Sequence, residues 1–245
     1  MEWGRAKTIL ILAFLMLNLM LGYQLWHSKL RLPDESNDIH LIAEKVTAVA
    51  ASKNIQIDAT IPTETPRMNE ITVTFEEEGI MGNVVAFDEP IPYVSLLVGS
   101  DVWDVIASQI PRFREYQIDR FTSRAGTVVF HQLADEYPMF DVRLKIHYEN
   151  QRIISYEQNY VQIQEGQEAT EQKVLSAYLA IGRLVENYME PGTTITEVQL
   201  GYHGQIFNSE TQVLAPMWRI MTSKGEMYYV HAINGSVETP SKENE

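Results

Sequence analysis

Cysteine is absent from all 245 residues. Disulfides, thiol nucleophiles and zinc–thiolate sites are therefore excluded together. Stability has to come from an ordinary apolar core, which a hydrophobic content of 45% can supply. Positive charge is scarce as well: 19 Lys and Arg face 33 Asp and Glu, a net charge of −14. A surface of that sign repels phosphodiester backbones, so no nucleic acid is expected as a partner. Catalytic signatures are missing too. The chain contains no G-x-S-x-G, H-E-x-x-H or S-x-x-K string, the spacings that place a nucleophile or a metal beside its helper groups. Six histidines, His27, His40, His131, His147, His203 and His231, show no i, i+3 or i, i+4 pairing.

The carboxylates offer little chemistry. Asp101 and Asp104 suit the acidic first turn of a helix, favoured by the helix dipole. Asp135-Glu136 reads as a solvated loop. Glu76-Glu77-Glu78 reads as a loop tip, without the alternating ligand spacing of an EF-hand. Asn234-Gly235-Ser236 fits a glycosylation acceptor but is explained as a turn. His147 and His231 fall in expected strands, where surface or hairpin roles outweigh metal binding. No cofactor, metal or catalytic residue follows, and the expectation is a non-enzymatic protein.

What the sequence does contain is one long apolar run. Ile9 to Trp26 is 18 residues without a charge, ten of them Leu, Ile or Phe. As a helix it spans about 27 Å, close to the hydrocarbon thickness of a bilayer. A cleaved signal has a shorter run, about 7–15 residues, ending in small residues. Here Tyr23, Gln24, Leu25, Trp26 and His27 follow, and Tyr23 and Trp26 suit the lipid headgroup level. The expectation is a retained single-pass anchor at 8–27 in the cell membrane. Residues 1–7 are then cytoplasmic and the rest extracellular, although Arg5 and Lys7 balance Lys29 and Arg31 across the run. Within it, Ile11, Phe14, Asn18, Gly22 and Leu25 share a helical face. Gly22 admits a close neighbour and Asn18 can hydrogen-bond across the contact, so these five residues are the candidate partner interface. A single anchor tolerating one Asn explains the same residues equally well.

Beyond the anchor, residues 28–245 hold 17 Lys and Arg (19 less Arg5 and Lys7) and 32 Asp and Glu (33 less Glu2), a net −15. A polar tether at 28–36 leads to an expected helix from Asn37 to Lys53. Strands are expected at 55–61, 71–75, 82–87 and 92–98, followed by a short helix capped by Ser100. The clearest strand is FDVRLKIHY, where Phe140, Val142, Leu144, Ile146 and Tyr148 alternate with polar residues. A turn at Glu149-Asn150 joins it to RIISYEQNYVQI (152–163). A second helix is expected from Thr170 to Met189, with Val174, Leu175, Tyr178, Ile181, Val185 and Tyr188 as its stripe. Strands at 195–202, 217–222 and 226–233 follow, with turns at Lys224-Gly225 and Asn234-Gly235. PMFDVRL (138–144) and PMWRIMT (216–222) echo each other and suggest two similar lobes, 37–165 and 166–239, before a disordered tail at 240–245. The fold class is α+β, antiparallel sheets with packed helices.

The opening M-E-W-x-R-x-K-T-I and the L-x-Y-Q that ends the apolar run carry a resemblance. Through Met1, Glu2, Trp3, Arg5, Lys7, Thr8, Ile9, Tyr23 and Gln24 the chain resembles the YycI (WalI) family. The likeness continues more loosely through the 140–163 hairpin and the segment ending YYVHAINGSV, itself similar to PepSY-like modules. The resemblance implies a membrane-anchored, non-enzymatic regulator of the essential YycG/WalK sensor histidine kinase of Gram-positive bacteria. Such proteins act with a YycH-like companion through transmembrane-helix packing, and the kinase governs cell-wall metabolism. It supplies no catalytic residue to transfer. Two rival readings stand beside it: an extracellular module that senses a cell-wall ligand or peptide, with the helix only a tether, and an inhibitor that docks the 62–70 loop into an enzyme.

Overall fold

The computed structural model describes residues 3–29, 39–75, 82–92, 100–164, 170–204 and 210–240. The Glu76-Glu77-Glu78 run, most of the 92–98 strand, most of the tether and the tail past Pro240 lie outside them. The chain divides into two compact units, Met1–Lys45 and Val46–Glu245.

The first unit holds α1 (Trp3–Lys29), 27 residues long, and the start of α2 (Ile39–Ser52). The side chains of α1 are described at 7, 8 and 10–23, and all of these are exposed. Among the described residues no helix is long and apolar enough to cross a membrane.

The second unit is built on β1 (Gln56–Ile57), β2 (Arg67–Met68), β3 (Ile71–Phe75), β4 (Val84–Pro92), α3 (Ser100–Gln109), β5 (Tyr116–Arg124), β6 (Thr127–Ala134), β7 (Tyr137–Glu149), β8 (Arg152–Gln158), β9 (Val161–Ile163), β10 (Gln172–Lys173), α4 (Ala177–Asn187), β11 (Thr194–His203), β12 (Thr211–Thr222), β13 (Met227–His231) and β14 (Val237–Glu238). One sheet runs β14-β13-β12-β11-β7-β6-β5, and β8 joins β7 to β4. Most pairs are antiparallel, but β11 meets both β1 and β7 in parallel, so the sheet is mixed. The α+β class stands.

The junction of β11 and β7 is a single register pair, Tyr202 with Met139. Gly201 makes that approach possible: a Cβ there would overlap the Pro138 carbonyl oxygen and the Phe140 ring. Beyond this point β7 leaves β11 and pairs with β8 from Leu144 to Glu149, so the two halves of the sheet splay apart.

Each half carries a helix on one face. On the β5–β8 half, Val128, Phe130, Leu144 and Ile146 pack with Ile106 of α3, with Ile110 just beyond its end and with Phe113. Trp103 meets Phe130 edge-on at 5.7 Å between centroids. On the β11–β14 half, α4 starts where the Ser176 side chain accepts from the Leu179 N–H, satisfying a donor that has no partner inside the helix. Its buried residues, Ala177, Ala180, Ile181, Leu184 and Val185, recur at helical spacing. Lys53 closes the other end, donating from Nζ to the Val185 and Glu186 carbonyls at 2.7 Å each, a cation where the helix dipole is negative.

Several expectations change. The helix expected from Thr170 begins only at Ala177, because Gln172–Lys173 pair with β2 instead. Val174 and Leu175 are buried in extended chain, their N–H groups donating to Pro66 and Ala232 carbonyls. The single strand expected at 152–163 is two: β8 pairs with β7, while β9 turns away to pair with β3. The sheet also crosses the expected lobe boundary at 165/166, since β1 pairs with β11 and β3 with β12. The two Pro-Met stretches hold different ranks, third strand after α3 and second after α4.

Candidate functional site

The faces turned away from α3 and α4 look at each other, and polar residues fill the space between. Strand alternation places them there. On β6 and β7, Val128, Phe130, Leu144 and Ile146 face the helix, so Thr127, Val129, His131, Arg143, Lys145 and His147 face the other way. On β12, Trp218 and Ile220 face the core under α4, so Arg219 and Met221 point opposite.

Arg219 is the centre of this arrangement and is 1% exposed. Nη1 donates to Asp119 Oδ2 at 2.6 Å; Nη2 donates to Glu197 Oε1 at 2.8 Å and Gln199 Oε1 at 3.0 Å. Its guanidinium carbon lies 4.4 Å from the centre of the Phe140 ring. Asp119 is held further by the backbone N–H groups of Phe121 and Thr122. Its Oδ2 also accepts from His131 Nε2 at 2.8 Å. The β5–β6 hairpin is thereby tied to β12 across the fold, at a sequence separation of 100.

The electrostatics follow from burial. For Asp119, burial pushes the carboxyl up, but the His131 hydrogen bond and the Arg219 charge outweigh it and hold it well below the usual carboxylate range. Glu197 goes the other way: burial raises it, and Arg219 only partly compensates. Its second oxygen, Oε2, has no hydrogen-bond partner. Burial lowers the His131 imidazole, and Arg219 repels a second positive charge. Its Nδ1 is buried without a partner, so the added proton would have nowhere to donate.

Acid sensitivity is the expected consequence. His131 binds its proton more weakly in the folded state, so its contribution is full above the unfolded value of about 6.5 and declines as pH falls below it. Asp119 adds a second loss, beginning as pH falls below about 3.9. Glu197 has the opposite sign, gaining as pH falls through its raised value. Urea unfolding at pH 7.5 and 5.5 should show lower stability at the lower pH. His131→Gln, which keeps a donor for Asp119, should reduce that difference, the remainder coming from His231, whose imidazole is also lowered by burial. An unchanged slope in the variant would remove His131 as its source.

A second polar group lies at the β7–β11 junction. Asp141 accepts from His203 Nδ1 at 2.9 Å and from the Gly204 N–H at 3.0 Å. The His203 ring stacks on Tyr229 at 3.7 Å. Burial and the nearby Asp141 push the Tyr229 hydroxyl up to about 12. This group fastens strand ends together. Among the described residues, no cluster of three or more His, Asp or Glu is placed to hold a metal.

Above the ionic cluster the two halves leave a crevice of about 650 Å³, lined by Phe121, Thr122, Arg124, Arg143, Lys145 and His147 on one side and Met221 and Met227 on the other. Glu157 reaches over from β8, contacting Lys145 Nζ at 3.2 Å and His147 Nε2 at 2.9 Å.

The five anchor residues belong to the first unit. Asn18 donates from Nδ2 to the Phe14 carbonyl at 2.9 Å, within its own helix. Ile11 and Phe14 are exposed, and a Cβ on Gly22 would meet nothing within 4 Å. The Leu25 side chain lies outside the described ones. Of the residues weighed for chemistry, Asp104 pairs with Arg114 on the surface at 2.9 Å, and Asp135 turns the chain between β6 and β7 at φ 54°. His231 Nδ1 accepts the Ile233 N–H in the β13–β14 turn. Sequence reasoning passed over Asp119, Glu197 and Arg219. The one visible signal was an arginine inside the apolar string MWRIM.

The fold and its sealed ionic core define a mixed-sheet α+β domain with charges spent on holding its halves together. A family model described as YycI protein matches residues 81–233. The chain belongs to the YycI family, a family of regulatory proteins in the YycG/WalK two-component system. No curated protein matches it. Among solved structures, an uncharacterized protein from Eubacterium rectale ATCC 33656 is similar at 10% identity over 85% of this chain and 78% of that one, with a TM-score of 0.34. That likeness is too distant to inform fold or function.

Proposed function

We propose that the chain is a single-pass membrane regulator of the sensor kinase, with α1 as its anchor, its N-terminus in the cytoplasm and the sheet domain outside the cell. A YycH-like protein is its companion, and the output is control of cell-wall metabolism. The observation that carries this reading is α1 itself. Every described side chain from Leu10 to Tyr23 is exposed, all around the helix, and nearly all are apolar. A helix apolar on every side suits lipid or other helices as its surroundings.

The proposed contact with the kinase is the face of Ile11, Phe14, Asn18, Gly22 and Leu25. One Asn18 N–H is used within the helix, which leaves its second N–H and its carbonyl oxygen for a neighbouring helix. An interhelical hydrogen bond of this kind is worth about 0.6–2 kcal/mol, or roughly 3- to 30-fold in association. That is enough to bias a two-state kinase. Asn18→Leu with Gly22→Leu should lower kinase co-purification from uncharged-detergent extracts by about that factor. Replacing residues 1–27 with an unrelated span should abolish it. Retained association in the span-swapped protein would overturn the helix-contact mechanism.

A further inference from the structure

The crevice between the sheet halves has a charge opposite to that of the molecule. Carboxylates outnumber cations 33 to 19 along the chain, yet the ionisable side chains lining this concavity are Arg124, Arg143, Lys145 and His147, with no carboxylate among them. Lys145 and His147 are already engaged by Glu157. Arg143 donates from Nε to the Phe140 carbonyl at 3.0 Å, and neither Arg143 nor Arg124 has a carboxylate within ion-pair distance among the described residues. Two guanidinium groups thus face one cavity with their charges unmatched, in a molecule with acidic side chains to spare.

Their placement is fixed by the sheet. Arg143, Lys145 and His147 follow one another on the same face of β7, about 7 Å apart. Arg124 stands at the end of β5, opposite Thr127, which pairs in turn with His147. The Asp119–His131–Arg219 cluster lies along the same face, where His131 pairs in register with Arg143 and is buried. Phe121, half-exposed, and the two methionines, Met221 and Met227, give the crevice an apolar side. A volume near 650 Å³ falls within the range of small-molecule sites, about 300–1,000 Å³.

We propose that this crevice binds a small anionic ligand. Arg124 and Arg143 take its phosphate or carboxylate group, and Phe121, Met221 and Met227 take its carbon body. The guanidinium fork matches either oxyanion in a bidentate way, so the two sources share one recognition chemistry. The inference concerns the sheet domain alone and does not depend on the anchor contact.

The test uses the full chain in an uncharged detergent at low ionic strength, titrated with phenyl phosphate and, separately, with phenylacetate. Binding is followed by calorimetry and by amide chemical shifts. Saturable binding of at least one probe is expected, weakening as salt is added. Shifts should centre on Phe121–Val129, Arg143–His147 and Met227. Arg124→Gln and Arg143→Gln should each weaken binding about tenfold, the effect of losing one charge-assisted contact. Arg114→Gln, at an exposed pair outside the crevice, should change nothing, and thermal melts confirm that the variants fold. The better-bound probe identifies the oxyanion. Absence of saturable binding for both probes, or equal affinity in the Arg124→Gln/Arg143→Gln double variant, overturns the proposal. The same variants should leave kinase co-purification unchanged, which separates a failure here from a failure of the anchor mechanism.

Discussion

Arg219→Leu should remove about 3–5 kcal/mol from the stability of the sheet domain, the usual cost of deleting one partner of a buried ion pair. Against a total of about 5–15 kcal/mol for a typical domain, that is a large fraction. The two carboxylates left behind suffer unequally. Asp119 keeps His131 and two backbone N–H donors. Glu197 loses the partner of its Oε1, and its Oε2 has none to begin with. Glu197 should therefore be protonated in the variant at higher pH than in the parent. Adding Glu197→Gln to Arg219→Leu should recover part of the loss. Replacing Glu197 and Arg219 together with apolar residues of similar volume should recover more of it, because the desolvation cost of both charges disappears while Asp119 keeps its other donors. The measurement is the urea midpoint at constant m. A single variant with an unchanged midpoint would show that the cluster does not hold the halves together.

The legible and illegible parts of this chain divide along a physical line. β7 could be read because its burial is one-sided: Phe140, Val142, Leu144 and Ile146 are buried, and their neighbours are mostly more exposed, so the period of two survives in the sequence. Its turn could be read as well, with Asn150 and Gln151 both at positive φ. The start of α4 was obscured because Val174 and Leu175 extend the apolar stripe of the helix, yet they are buried by backbone bonds to Pro66 and Ala232. Partners at such a separation leave no local mark, and tertiary pairing overrode the periodicity. The Asp119–Arg219 bridge is hidden in the same way. MWRIM announces a buried cation, but Asp119, 100 residues upstream, sits in YQIDRF with nothing to distinguish it from the other acidic residues of the chain. The crevice was equally hidden. Arg143, Lys145 and His147 look like the wet face of an ordinary strand until the second half of the sheet rises opposite them.

Trp218→Ala should be the second severe change, costing about 3–5 kcal/mol. Trp218 is fully buried, in register with Leu200 on β11 and Val230 on β13. Its indole Nε1 donates to the Leu175 carbonyl at 2.8 Å. Leu175 belongs to the extended segment that enters α4, so this one side chain both fills the core and fixes where the helix begins. The two roles separate by substitution. Trp218→Phe keeps most of the apolar volume but leaves the Leu175 carbonyl without its donor, and should cost about 1–3 kcal/mol for the orphaned group plus a smaller cavity term. Amide exchange then locates the effect. In Trp218→Phe the protection of Leu175 and of the first turn after Ser176 should fall before that of β11 and β12, whereas in Trp218→Ala all should fall together. If Trp218→Phe leaves exchange at Leu175 and in the first turn of α4 at parental rates, the indole bond has no part in setting the helix start.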